Sequence, residues 1–120
     1  MAPGEPASWL VIFDEQFQVE FDGFREAVQD KILVRAGLLE QFGPALSRPH
    51  ADTLKGSRFP NMKELRVPVG RQAWRVAFAF DPGRRAILLC AGDKVGQNQK
   101  AFYDALIATA DARFEKHRRV

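Results

Sequence analysis

The stretch Lys63-Glu-Leu-Arg-Val-Pro-Val-Gly-Arg-Gln-Ala-Trp-Arg-Val-Ala-Phe-Ala-Phe80 decides the fold. Its side chains alternate as those of strands do. Leu65, Val67 and Val69 point one way, and Glu64, Arg66 and Pro68 the other. Trp74, Val76, Phe78 and Phe80 share a face, with Arg75, Ala77 and Ala79 opposite. Gly70-Arg71 supplies a two-residue turn, with glycine at the position where a type II′ turn needs a positive φ. This turn places Leu65 against Val76 and Val67 against Trp74 on a core face. It also sets Arg66 directly opposite Arg75 on the other face. Pro68 falls in a non-hydrogen-bonded pair, which is tolerated only where the strand is an edge.

Working outward, Asp81-Pro82-Gly83 makes the next turn. Ile87–Ala91 is apolar on both faces and reads as a central strand. Phe102, Leu106, Ala110 and Phe114 line a C-terminal amphipathic helix with Asn98 as its N-cap. Upstream, Trp9–Phe13 is a short β-prone run. Asp14 caps a helical face of Phe17, Phe21, Phe24, Val28, Ile32, Ala36 and Leu39, which Gly23 divides. Phe42-Gly43-Pro44 ends it, and residues 46–61 read as a loop carrying Lys55 and Arg58. The expected fold is therefore α+β, a mostly antiparallel four-stranded sheet with helices on one face and the other face partly open. Residues 1–8 are expected to form a flexible tail, and residues 9–117 a single domain.

The 120 residues are 46% apolar and 28% charged, which excludes wholesale disorder. A single cysteine, Cys90, excludes an intrachain disulfide framework, and no apolar run is long enough to span a bilayer. The net charge of +3 hides a step. Residues 1–47 hold three basic and eight acidic side chains, and residues 48–120 fifteen and seven, so −5 meets +8. Either one surface is suited to a polyanion, or the charges of a basic chain happen to cluster. The opposed arginines sharpen this, because like charges facing each other across a strand pair are destabilising until an anion comes between them. That anion is a bound phosphate, or else Glu64 or Asp93 bridging the pair into a surface network.

The run Leu54-Lys-Gly-Ser…Lys63-Glu-Leu-Arg66…Trp74-Arg75-Val76-Ala77-Phe78…Ile87-Leu88-Leu89…Gly92-Asp93-Lys94 resembles the HigB-type toxins of the RelE superfamily. The resemblance spans roughly residues 9–117. Its most specific parts are Glu64-Leu65-Arg66, Trp74-Arg75-Val76 and Lys94. Two positions depart from the pattern: Lys63 stands where many relatives have an aromatic residue, and Gly92-Asp93-Lys94-Val95-Gly96 replaces a Phe-x-Lys-Lys run. The resemblance implies a small RelE-like, microbial-RNase-like fold and a toxin of a type II toxin–antitoxin system; the single unpaired cysteine and the lack of an export signal make the cytoplasm the expected location. It implies an endoribonuclease that cuts messenger RNA in the ribosomal A site and oligomerises through a helix-turn-helix antitoxin that neutralises it. Arg66, Arg75 and Lys94 fall on the family's basic site positions, with Lys55, Arg58, Lys63, Lys100 and Tyr103 as further RNA contacts.

The implied chemistry is metal-independent attack of an RNA 2′-hydroxyl on the adjacent phosphorus. It needs a base, a positive field for the phosphorane and an acid for the departing oxygen. His50, in a loop, and His117, near the C-terminus, read as surface residues. Lys94 is then the candidate base, provided neighbouring cations lower its proton affinity. Cys90 reads as a buried small hydrophobe, and Trp9 and Trp74 as core. No spacing suggests a metal or cofactor. Arg113, Lys116, Arg118 and Arg119 form either a solvated helix end or a grip for ribosomal RNA. A non-catalytic RNA-binding or ribosome-binding module, or a degenerate toxin that only binds its antitoxin, is the competing function.

Overall fold

The hairpin adopts the register its turn dictates. In the computed structural model, which describes residues 9–119, β3 (Met62–Val69) pairs antiparallel with β4 (Gln72–Phe80), Leu65 against Val76 and Arg66 against Arg75. Gly70 holds φ at 58°, the value the type II′ turn requires. The proposed tail, residues 1–8, lies outside the described residues.

The remaining elements are β1 (Leu10–Phe13), α1 (Glu15–Asp22), α2 (Glu26–Phe42), β2 (Ala51–Thr53), β5 (Arg85–Asp93) and α3 (Gln99–Arg118). The sheet has five strands in the order β1-β5-β4-β3-β2. Only β1, parallel to β5, breaks the antiparallel pattern. The expectation of four strands is therefore corrected. β2 is the extra one, a three-residue strand too short to show alternation and hidden in the segment read as a loop. It pairs only with Lys63–Leu65, and the Arg66 N–H donates to the His50 carbonyl at 2.8 Å just beyond it. Pro68 lies past the end of β2, so β3 is an edge at that residue and no ladder bond is lost.

The second correction concerns the open face. α1 and α2 pack Phe17, Val28, Ile32 and Leu39 onto Leu65, Val76 and Phe78. α3 covers the other face, where Phe102, Leu106, Ala110 and Phe114 meet Met62, Ala77, Ala79 and Leu89. Both faces are thus covered where the apolar β5 runs between them, and the α3 side stays open around Arg66. The Asp14 carboxylate accepts from the N–H groups of Gln16 and Phe17, and the Asn98 side chain from that of Ala101, so both expected N-caps form.

Gly43 is the tightest joint. It sits at φ 54°, and a Cβ there would overlap the Trp9 indole. Strain and overlap, each at the low end of its usual range, cost about 1 kcal/mol apiece. Gly43→Ala is therefore expected to destabilise the protein by about 2 kcal/mol, read as a lower urea midpoint at unchanged slope.

α3 is bolted to α1 by Arg113, whose Nη1 and Nη2 donate to Glu20 at 2.9 and 2.6 Å, while Nη1 also reaches the Leu89 carbonyl at 2.8 Å. The Arg113 hydrogen bond holds the Glu20 carboxyl below its ordinary value, against burial. A depressed carboxylate contributes stability that is present above its unfolded value, near 4.5, and is lost as pH falls through the folded one. Stability should therefore fall on acidification through that window. Arg113→Ala should flatten this acid limb in urea melts taken across pH.

Candidate nucleic-acid interface

Arg66 and Arg75 face each other on the α3 side of the sheet, and a carboxylate lies between them. Glu64, almost wholly buried, sets Oε2 at 3.3 Å from Arg66 Nε and Oε1 at 3.6 Å from Arg75 Nε. The Tyr103 hydroxyl on α3 donates to Glu64 Oε1 at 2.8 Å and accepts from Arg75 Nε at 3.3 Å. Asp52 of β2 adds a contact to Arg66 Nη2 at 3.2 Å. Of the two carboxylates that could have bridged the pair, Glu64 does so. Asp93 instead accepts from the N–H groups of Ala73 and Val95 and shapes the turn after β5. Burial, and after it Glu64, raise the Tyr103 hydroxyl above its ordinary value, so it stays a proton donor at neutral pH.

The two arginines are not equivalent. The Arg75 side chain is 13% exposed and that of Arg66 32%. Among the described residues Arg66 engages its partners through Nε and Nη2, which leaves Nη1 facing no protein acceptor. A phosphate approaching this face meets Arg66 first, with Arg75 behind it. Lys94 joins them. Its N–H donates to the Ala73 carbonyl at 3.0 Å, and Arg75 pairs with Gly92, so the register carries Lys94 onto the same face one pair further along.

Three weaker candidates gather beside this row, and two do not. Lys55, Lys100 and Tyr103 line one open groove, with Lys100 Nζ at 2.6 Å from Asp104. Lys63, although next to Glu64, has the opposite strand parity. It lines a groove with Pro44, Leu46 and Ser47 on the other side of the sheet. Arg58 lies near the far end of α3 beside Glu115. Burial pushes the Cys90 thiol up to about 12, in keeping with a small core residue.

His50, read from the sequence as a surface residue in a loop, lies in a turn next to β2. The β2–β3 register, continued by the Arg66 N–H bond to its carbonyl, puts His50 directly across from Arg66. Its Nδ1 is buried without a hydrogen-bond partner among the described residues. The backbone register thus places His50 at the border of the row. No sequence signal marked it, because β2 itself left none.

The five-stranded mixed sheet, with two helices on one face and one on the other, defines the fold class of small RelE-like domains. A free-state structure of an arginine-to-alanine double mutant of the E. coli toxin RelE superposes with a TM-score of 0.61 at 11% identity, covering 84% of this chain and 95% of that one. The sequence comparisons then give the family. Residues 19–115 match the profile described as Phage derived protein Gp49-like. A Mycobacterium tuberculosis protein bearing the toxin name HigB2 is 41% identical over 104 residues, covering 86% of this chain and 51% of the relative. A second, bearing the toxin name HigB3, is 55% identical over 78 residues, covering 65% of this chain and 66% of the relative. The chain thus spans between half and two-thirds of the length of these relatives. It belongs to the Phage derived protein Gp49-like family, is similar to these two HigB-named proteins, and shares the fold of the RelE structure.

Proposed function

We propose that this chain is the toxin of a type II toxin–antitoxin system, an endoribonuclease that cuts messenger RNA in the ribosomal A site and halts translation in the cytoplasm. A cognate helix-turn-helix antitoxin neutralises it and supplies the contacts through which the complex oligomerises. The observation that carries this reading is the row of Arg66, Arg75 and Lys94 on one sheet face, with Tyr103 and His50 at its borders.

The row matches the needs of 2′-hydroxyl attack. The hydroxyl oxygen bonds to the adjacent phosphorus as its proton passes to a base, Lys94 or His50. The P–O5′ bond then breaks as the leaving oxygen takes a proton, leaving a 2′,3′-cyclic phosphate and a free 5′-hydroxyl. Arg66 stabilises the charge on the phosphorane, and Arg75 holds Glu64 and Tyr103 in place behind it. An arginine keeps its proton too firmly to be an efficient acid. Tyr103 or His50 is the better donor.

One observation favours a second reading, a module that binds RNA without cutting it: Glu64 and Asp52 already neutralise much of the arginine charge. Expression in a bacterium without the antitoxin separates the two. Growth arrest with new 5′-hydroxyl RNA ends inside codons supports the nuclease, and arrest with intact messages supports the binding module.

A further inference from the structure

The positive excess of the sequence comes to rest away from the opposed arginines. At the far end of the sheet, the β4–β5 turn, the segment before β3 and the last turns of α3 enclose an open groove of about 630 Å³. Arg58, Arg85, His117 and Arg118 line it. Three guanidiniums, those of Arg58 and Arg118 on the groove and of Arg119 one residue beyond it, share the carboxylate of Glu115 at 3.5, 3.9 and 3.8 Å. None of the three distances is that of a good charge-assisted hydrogen bond, so most of their donors are unspent. Arg58 and Arg118 also lie 5.0 and 5.2 Å from the centroid of the Phe59 ring, which restricts where their forks can point.

The rest of the groove is arranged differently. Arg85 and His117 both reach Asp81 Oδ2, at 2.8 and 3.2 Å, and the other oxygen of that carboxylate accepts from the Gly83 and Arg85 N–H groups. Asp81 is therefore fully occupied as a brace between the turn and α3. With Asp111, whose carboxylate accepts from the Ser57 hydroxyl and the Arg58 N–H, four guanidiniums meet three carboxylates, even with His117 neutral. The negative end of the α3 dipole, worth about half a charge, does not absorb that excess.

We propose that this groove is a second RNA-binding site, which holds the phosphodiester backbone of the strand engaged at Arg66 through Arg58, Arg118 and Arg119. It rests on the RNA reading above and extends it. Tyr103, at the first site, and Arg118 are separated on α3 by about 22 Å along the helix axis. A single strand spans that distance, so the groove adds affinity for a longer strand and leaves a trinucleotide indifferent.

The test uses the full chain and a fluorescein-labelled twelve-nucleotide RNA with 2′-O-methyl groups, which cannot be cut, followed by anisotropy over a range of NaCl. Arg58→Ala/Arg118→Ala/Arg119→Ala, all exposed positions, should weaken binding by about tenfold or more and lessen the salt slope by about 2. Binding of a trinucleotide should not change. Wild-type affinity and slope in the triple variant, with binding lost in Arg66→Ala/Arg75→Ala, would overturn the groove and leave the first site standing. Loss of binding in the triple variant, with growth arrest and RNA ends unchanged in Arg66→Ala/Arg75→Ala, keeps the groove and removes the nuclease site. Capture by phosphatidylglycerol vesicles that depends on the same three arginines, without RNA binding, would make the groove a lipid site and overturn the proposal.

Discussion

Arg66→Ala is expected to abolish growth arrest and to slow cleavage of a ribosome-bound message by about 10²–10³-fold, the usual loss when one donor to a developing oxyanion is removed. Arg66 carries this expectation ahead of Arg75, because its side chain is the more exposed and keeps Nη1 free for a phosphate oxygen. The variant should still fold, since Glu64 retains Arg75 and Tyr103 as partners. Arg66→Lys should recover little, because an ammonium cannot span Glu64, Asp52 and a phosphate with one planar fork. Primer extension on a stalled message in a translation extract measures the rate. Cleavage at the wild-type rate in Arg66→Ala would place the reaction elsewhere on the molecule.

The largest effect on stability is expected at Glu64. Glu64→Ala leaves two guanidiniums directly opposed and removes the acceptor of the Tyr103 hydroxyl, at a cost of about 3 kcal/mol. Arg66→Ala placed in the Glu64→Ala background should return part of that loss, and the double-mutant cycle isolates the pairwise coupling. Glu64→Gln, which keeps an acceptor for Tyr103 but no charge, should fall between. Equal urea midpoints for Glu64→Ala and the wild type would show that the buried carboxylate does not hold the pair together.

The two expectations share one lesson about legibility. The opposition of Arg66 and Arg75 is legible in the sequence, because a two-residue turn at Gly70-Arg71 admits a single register, and that register is observed. The caps at Asp14 and Asn98 were equally plain, since capping is local. β2 was not, as three residues carry no periodicity, and the register position of His50 depends on it. The covering of the second face by α3 was also missed. The basic residues of that helix suggested solvent, whereas Arg113 and His117 turn inward to Glu20 and Asp81. Sign alone could not place the charge excess either. Glu64 stands two residues before Arg66 in the chain, but its side chain meets Arg75 only through the sheet.

The parallel pairing of β1 with β5 joins Leu10 to Arg85 and so closes most of the chain into one loop. The β3–β4 hairpin, by contrast, closes across two residues. Loop-closure entropy and contact order therefore separate the molecule in time. The strands that oppose Arg66 and Arg75 can form early and locally, while the outer strand must wait for a distant partner. Until it docks, β5 presents an apolar unpaired edge, the kind of surface on which chains associate with one another instead of completing themselves. The opposed arginines thus belong to the part of the protein that can organise first, and the strand that seals the opposite edge is where a folding chain is most exposed to error.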